Sequence, residues 1–184
     1  MKNRALFLDR DGVINEPIVI EGKPYSPKNL SELKFCRNVD IAIRKAKELG
    51  LLVIIFTNQP EIARGTMLKE NVDKIHKYII KLLHVDDIFM CPHDDKDDCS
   101  CRKPKPGMLY EASAKWNINL KESFVVGDRW RDIDAGKQAG CTTFLIKSDY
   151  YNDKKPINYD YSADNLISVI EIISKLLNKK EEIF

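Results

Sequence analysis

The chain has 184 residues, of which 43% are apolar and 32% charged, with a formal net charge of +2. That length suits one domain with a proper core, and the balance excludes disorder, which needs low hydrophobicity and high net charge. It also excludes a basic nucleic-acid stripe and a membrane-spanning helix, since no apolar run approaches ~18 residues.

In chain order, Ala5–Leu8 is a short apolar run that predicts a buried strand ending at Asp9. Residues 16–33 hold Gly22, Pro24 and Tyr25 and predict a small flap with its turn at Gly22 and Pro24. Asn38 is placed to cap a helix through Ala42, Ile43, Ala46 and Leu49, stopped by Gly50. Leu51–Phe56 predicts a second strand, and Val72, Ile75, Ile79 and Leu82 recur at helical spacing within Leu68–Leu83. Asp87–Met90 is a weaker strand candidate; Pro106 is placed as the first helical residue before Met108–Trp116. Strands follow at Phe124–Val126 and Thr142–Ile146, separated by a helix over Asp132–Ala139 that Gly140 closes. Ser162 is expected to cap a final helix carrying Leu166, Val169, Ile170, Ile173 and Leu177.

Continuous apolar strands alternating with helices predict a doubly wound α/β fold with a parallel, Rossmann-like sheet. No repeat or second domain interrupts it, so one unit over 1–184 is expected. Ligands of such sheets bind beyond the carboxyl ends of the strands. Asp9, Thr57, Cys91 and Asp128 each follow a strand directly.

Four motifs carry chemistry. Asp9-Arg10-Asp11-Gly12 puts two carboxylates two residues apart, a pair that repels unless a hard cation such as Mg²⁺ lies between them. Taken alone it reads equally well as a polar strand-to-turn junction. Thr57-Asn58-Gln59 offers a hydroxyl and amides to a phosphoryl group. Arg102-Lys103-Pro104 supplies adjacent cations, with Pro104 restricting Lys103 to extended backbone. Gly127-Asp128 and Asp132 add acids at a further strand end.

Cys91, His93, Cys99 and Cys101 place three thiolates and one imidazole within eleven residues. Four protein ligands of this kind form a structural, tetrahedral Zn²⁺ set, closing a loop over residues 91–101. Its acidic stretch, Asp94 to Asp98, reads as a solvated tip. Cys36 and Cys141 read as core residues, and His76 and His84 as surface or packing residues. The charged start leaves no apolar core for a signal peptide. A cytoplasmic location follows, where thiols stay reduced.

The ordered set of acid pair, hydroxyl, cation and acid resembles the haloacid dehalogenase-like superfamily of phosphatases, whose four motifs cover Asp9 to Asp132. The resemblance implies that Asp9 attacks phosphorus to form an aspartyl-phosphate, while Asp11 acts as general acid and then base. Mg²⁺ would be held by Asp9, the backbone carbonyl of Asp11 and Asp128, with Asp132 behind them. Thr57 and Lys103 would stabilise the transferring phosphoryl; Lys105 is a second candidate for that lysine, and the family's Arg-Lys-Pro pattern favours Lys103.

The zinc loop and the absence of a large cap resemble the branch that contains heptose bisphosphate and histidinol-phosphate phosphatases. Thr57–Gly65 and Arg102–Leu109 look like the heptose side, which implies removal of the 7-phosphate in cell-surface polysaccharide biosynthesis. Asn58, Gln59, Arg64, Arg102 and Arg129 would contact the phosphorylated sugar. Pro60-Glu61 departs from the Ser-Gly common there. A monomer is expected, because no coiled-coil seam is present. A signalling receiver domain would place its acid pair and phospho-acceptor on separate strands, and a zinc-ribbon module would leave Asp9, Thr57 and Asp128 unexplained.

Overall fold

A computed structural model describes residues 2–149 and 153–181; the ends of the expected 1–184 unit lie outside them. Its six-stranded sheet comprises β1 (Ala5–Leu8), β4 (Leu52–Asn58), β5 (Asp87–Cys91), β6 (Phe124–Gly127), β7 (Thr142–Ile146) and β8 (Tyr161–Ala163). The strand order is β5-β4-β1-β6-β7-β8, and every pairing is parallel. Helices α1 (Val39–Glu48), α2 (Lys69–Leu83), α3 (Gly107–Trp116) and α4 (Trp130–Ala139) lie in crossovers between strands, and α5 (Leu166–Glu181) follows β8.

Both faces of β1 are covered, which is why its sequence is apolar throughout rather than alternating. Leu6 and Leu8 pack with Ile43 of α1, Ile75 and Ile79 of α2, and Ile170 and Ile173 of α5. Ala5 and Phe7 turn to the other face, against Met108, Leu109 and Ala112 of α3 and Ala135 of α4. The parity of a strand thus divides one apolar run between two cores.

Neighbours diverge on either side of β1: β4 lies to one side and β6 to the other. That is the topological switch point, where a crevice opens beyond the strand ends. Asp9 follows β1 into it, and Asp9 N still donates to Val126 O of β6 at 3.0 Å. The expected strands are found, with β4, β5 and β6 running one or two residues further, so that Thr57, Cys91 and Gly127 remain in the ladder.

Five expectations need correction. The flap is a β-hairpin of β2 (Ile18–Ile20) and β3 (Lys23–Tyr25), and its turn is Glu21-Gly22, both at positive φ, the two-residue arrangement that suits strand twist. Pro24 lies within β3, opposite Val19. Ser162 caps no helix; it belongs to β8, which Asp160 pins to β7 by accepting hydrogen bonds from Thr143 N and Oγ1, each 2.8 Å. The helix cap is Asn165, whose Oδ1 accepts from Ser168 N at 3.0 Å. Finally, α4 begins at Trp130, because Asp132 Oδ2 accepts from Arg129 N at 3.0 Å and closes the first turn. Asn38 does precede α1, but in the left-handed conformation and without a side-chain cap bond. Pro106 likewise sits one residue before α3, which starts at Gly107.

Candidate active site

Beyond the strand ends lies a pocket of about 330 Å³, lined among others by Asp9, Asp11, Thr57, Asn58, Lys103 and Asp132. Lys103 Nζ donates to Asp9 Oδ1 at 2.8 Å and Phe56 O at 2.9 Å, and pairs with Asp132 Oδ1 at 2.6 Å. Lys105 points elsewhere, to Asp98 of the zinc loop. Lys103 is therefore the lysine of the site.

Asp9, Asp128 and Asp132 bring carboxylate oxygens within 4.8 Å of one another, all in buried positions. Burial pushes the Asp9 carboxyl up to about 7; Asp132 adds to the rise and Lys103 opposes it. One ammonium does not compensate three close carboxylates, so the set suits a hard divalent cation with oxygen ligands. Two glycines give it room. A Cβ on Gly12, at φ +97°, would lie 1.9 Å from Asp128 Oδ2, and one on Gly127 would lie 2.1 Å from Asp132 Cβ.

Asp11 is held in a cage of donors. Its Oδ1 accepts from Asn15 Nδ2 at 2.9 Å, and its Oδ2 from Ser26 Oγ at 2.8 Å and Gln59 Nε2 at 3.0 Å. The Arg10 guanidinium spans both oxygens, at 2.9 Å from Oδ2. Burial alone would raise this carboxyl, but Arg10, Asn15 and Ser26 outweigh it and hold the group below the usual range. As described, Asp11 is a carboxylate, the base form.

Several residues with an expected role at the substrate have other partners here. Gln59 is fully buried and does not line the pocket; its amide joins Asp11, Thr57 Oγ1 at 2.9 Å and Arg10 at 3.1 Å. Asn58 lines the pocket while its amide clamps the Lys103 backbone, accepting from N and donating to O, both at 3.1 Å. Arg64, Arg102 and Arg129 stand on the pocket rim, paired with Asp94, Asp95 and Asp153 respectively. The acidic stretch is largely exposed, as expected of a solvated tip, and Asp94 and Asp95 in addition tie the loop to the arginines.

Arg10, Asn15, Ser26, Asp95 and Arg131 contact the candidate site residues without having been singled out from the sequence. His76, expected at the surface or in packing, is packed: it is buried on α2 with Nε2 3.2 Å from Arg10 NH1. Its position in the α2 stripe, four residues after Val72 and three before Ile79, was the available signal for burial.

Cys91, His93, Cys99 and Cys101 also converge. Their sulfurs lie 3.0–3.5 Å apart, and His93 Nδ1 is 3.4 Å from Cys101 Sγ and 3.7 Å from Cys91 Sγ. Edges of roughly 3.8 Å belong to a tetrahedron with metal–sulfur bonds of ~2.3 Å. Cys141 is buried and Cys36 partly so, each pushed up to about 12 by burial. Among the described residues no helix is long and apolar enough to cross a membrane.

Residues 100–169 match the family model described as HAD-hydrolase-like. The chain is 34% identical to the D-glycero-alpha-D-manno-heptose-1,7-bisphosphate 7-phosphatase of Photorhabdus laumondii, over 94% of this chain and 97% of that protein. It is also 34% identical to the D-glycero-beta-D-manno-heptose-1,7-bisphosphate 7-phosphatase of Helicobacter pylori, over 78% of this chain and 83% of that protein. In structure it resembles the D,D-heptose 1,7-bisphosphate phosphatase of B. bronchiseptica complexed with magnesium and phosphate, with a TM-score of 0.80 at 29% identity, covering 94% of this chain and 98% of that one. The chain belongs to the haloacid dehalogenase-like superfamily, in the branch that contains the heptose bisphosphate phosphatases.

Proposed function

We propose that the chain is a magnesium-dependent phosphomonoesterase that removes the 7-phosphate of a D-glycero-D-manno-heptose 1,7-bisphosphate through a phosphoryl group carried on Asp9. The observation that carries this reading is the placement of Asp9 at the switch point, 2.8 Å from Lys103 Nζ and in reach of the Asp128 and Asp132 carboxylates. Phosphoryl transfer is mostly positioning and charge neutralisation, and this arrangement supplies both.

Asp9 oxygen bonds to phosphorus as the bond to the sugar oxygen breaks. Lys103 meets charge on the phosphoryl oxygens, and Thr57 faces the same space. Asp11 gives the departing sugar oxygen a proton and then takes one from the water that releases inorganic phosphate, a role worth ~10²–10⁴-fold. The caged carboxylate is the form for the second step. In the acid form the Ser26 hydroxyl, 2.8 Å from Oδ2, turns from donor to acceptor. Magnesium would be held by Asp9, the Asp11 carbonyl and Asp128, backed by Asp132, and supplies charge neutralisation at the phosphoryl oxygens when bound.

Zinc held by Cys91, His93, Cys99 and Cys101 serves structure: His93 precedes Asp94-Asp95 and Cys101 precedes Arg102, so the loop fixes both partners of the rim pairs. Three reduced thiolates suit the cytoplasm. Phosphate release from heptose 1,7-bisphosphate and from histidinol phosphate tests the substrate. A higher kcat/KM for the bisphosphate is expected; preference for histidinol phosphate overturns the assignment.

A further inference from the structure

The pocket rim carries Arg102 and Arg131 on separate elements, and one carboxylate lies between them. Asp95 Oδ1 accepts from Arg102 Nε at 2.8 Å and from Arg131 NH1 at 3.1 Å, and Oδ2 lies 3.4 Å from Arg131 NH2. The two guanidiniums are well sheltered, with side chains 10% and 24% exposed, whereas Asp95 is 56% exposed. Other contacts hold them in place: Arg102 donates to His93 O at 3.0 Å and has Asp94 Oδ1 4.0 Å from its NH2, while Arg131 NH1 lies 3.4 Å from Lys103 O and its guanidinium carbon 4.7 Å from the Trp130 ring. Two preorganised forks therefore face one exposed carboxylate. Fork pairs of this kind match phosphate oxygens as well as carboxylate oxygens.

We propose that Asp95 is a built-in competitor for the second anionic group of the substrate, so that it sets how strongly the enzyme prefers a bisphosphate. This rests on the reading given above, in which the substrate keeps a phosphate distant from the reacting one. On binding, that phosphate takes the place of the Asp95 carboxylate between Arg102 and Arg131, and Asp95 turns to water. No covalent bond changes. Asp95 acts through the arginines and touches neither the reacting phosphorus nor Asp9.

The alternative role for Asp95 is to prop the two arginines, and it gives the opposite sign. In the full chain loaded with zinc and magnesium, Asp95→Asn removes the competing charge while keeping the side chain's shape. The ratio of kcat/KM for heptose 1,7-bisphosphate over that for p-nitrophenyl phosphate is expected to rise roughly twofold to fivefold, the range an exposed charge pair commands. The change should fall on KM for the bisphosphate rather than on kcat. Arg131→Gln is expected to lower the same ratio, which identifies the anion's seat whatever happens at position 95. A ratio that falls or stays constant in Asp95→Asn overturns the proposal, as does a constant ratio in Arg131→Gln. Lack of any bisphosphate preference in the unmodified enzyme would instead remove the substrate assignment on which it rests.

Discussion

Lys103 Nζ lies 2.8 Å from Asp9 Oδ1, and the same ammonium lies 2.6 Å from Asp132. One cation thus orients the nucleophile and offsets the acid behind it. Truncating Lys103 to alanine is expected to lower kcat by about 10²–10³-fold, the usual cost of one preorganised electrostatic contact. Lys105→Ala, whose parent side chain pairs with Asp98 on the loop surface, is expected to alter kcat by less than about threefold. Steady-state phosphate release from both variants checks the pair; equal losses would contradict the assignment of Lys103.

Gly12 makes room for an acid. Its Cβ would fall 1.9 Å from Asp128 Oδ2, at a φ of +97° that side chains rarely adopt. Gly12→Ala is therefore expected to displace the Asp128 carboxylate and weaken magnesium binding by about 10–100-fold, as losses of a ligand's support do. Titrating activity with magnesium measures this; an unchanged half-saturating concentration would count against Asp128 as a ligand.

The strand ends were legible because a buried parallel strand writes itself as a continuous apolar run, and Asp9, Thr57 and Asp128 each stand where such a run stops. The zinc ligands were legible because thiolates and imidazole crowd a short segment. Other features left weaker traces. Tyr161-Ser162-Ala163 is short and half polar, and it is a strand through its parallel pairing with β7, which the bond from Thr143 to Asp160 reinforces. Asp94 and Asp95 sit in a charge run, which usually means a solvated face, and their partners lie 30 and 36 residues away in Arg64 and Arg131. Gln59 shares a motif with Thr57 and Asn58, but it stands one residue beyond β4, fully buried, with its amide held by Asp11, Thr57 and Arg10.

His76 gives the enzyme a pH-dependent stability. Burial and the Arg10 guanidinium lower its pKa to about 3, with Asp11 and Asp73 opposing and Lys69 adding. The unfolded chain protonates this histidine near 6.5 and the folded chain does not, so the unfolded state binds more protons as pH falls. Stability is complete above about 6.5 and is lost as pH drops toward 3. The loss between pH 7 and pH 5 should be on the order of 2 kcal/mol. His76→Gln, which retains an acceptor for Arg10, is expected to flatten the slope in urea unfolding over that range. An identical slope in the variant would show that other groups set it.

Zinc should matter to binding more than to folding. The ligand His93 leads into Asp94 and Asp95, and the ligand Cys101 leads into Arg102, while both cores are built from the sheet and helices. Chelation is expected to raise KM for the bisphosphate about tenfold or more, because Arg102 loses the fixed position that Cys101 gives it at the rim, with far-ultraviolet circular dichroism nearly unchanged. Full activity after zinc removal, confirmed by metal analysis, would contradict this role.

The central claim, that phosphorus is transferred to Asp9, is met most directly by acid-quenching the enzyme during turnover of heptose 1,7-bisphosphate and mapping the phosphorylated peptide by mass spectrometry. The expected result is a transient phosphoryl group on Asp9, absent from Asp9→Asn, which should keep its fold and lose turnover. Sustained turnover by Asp9→Asn, or a phosphoryl group on another residue, would contradict it.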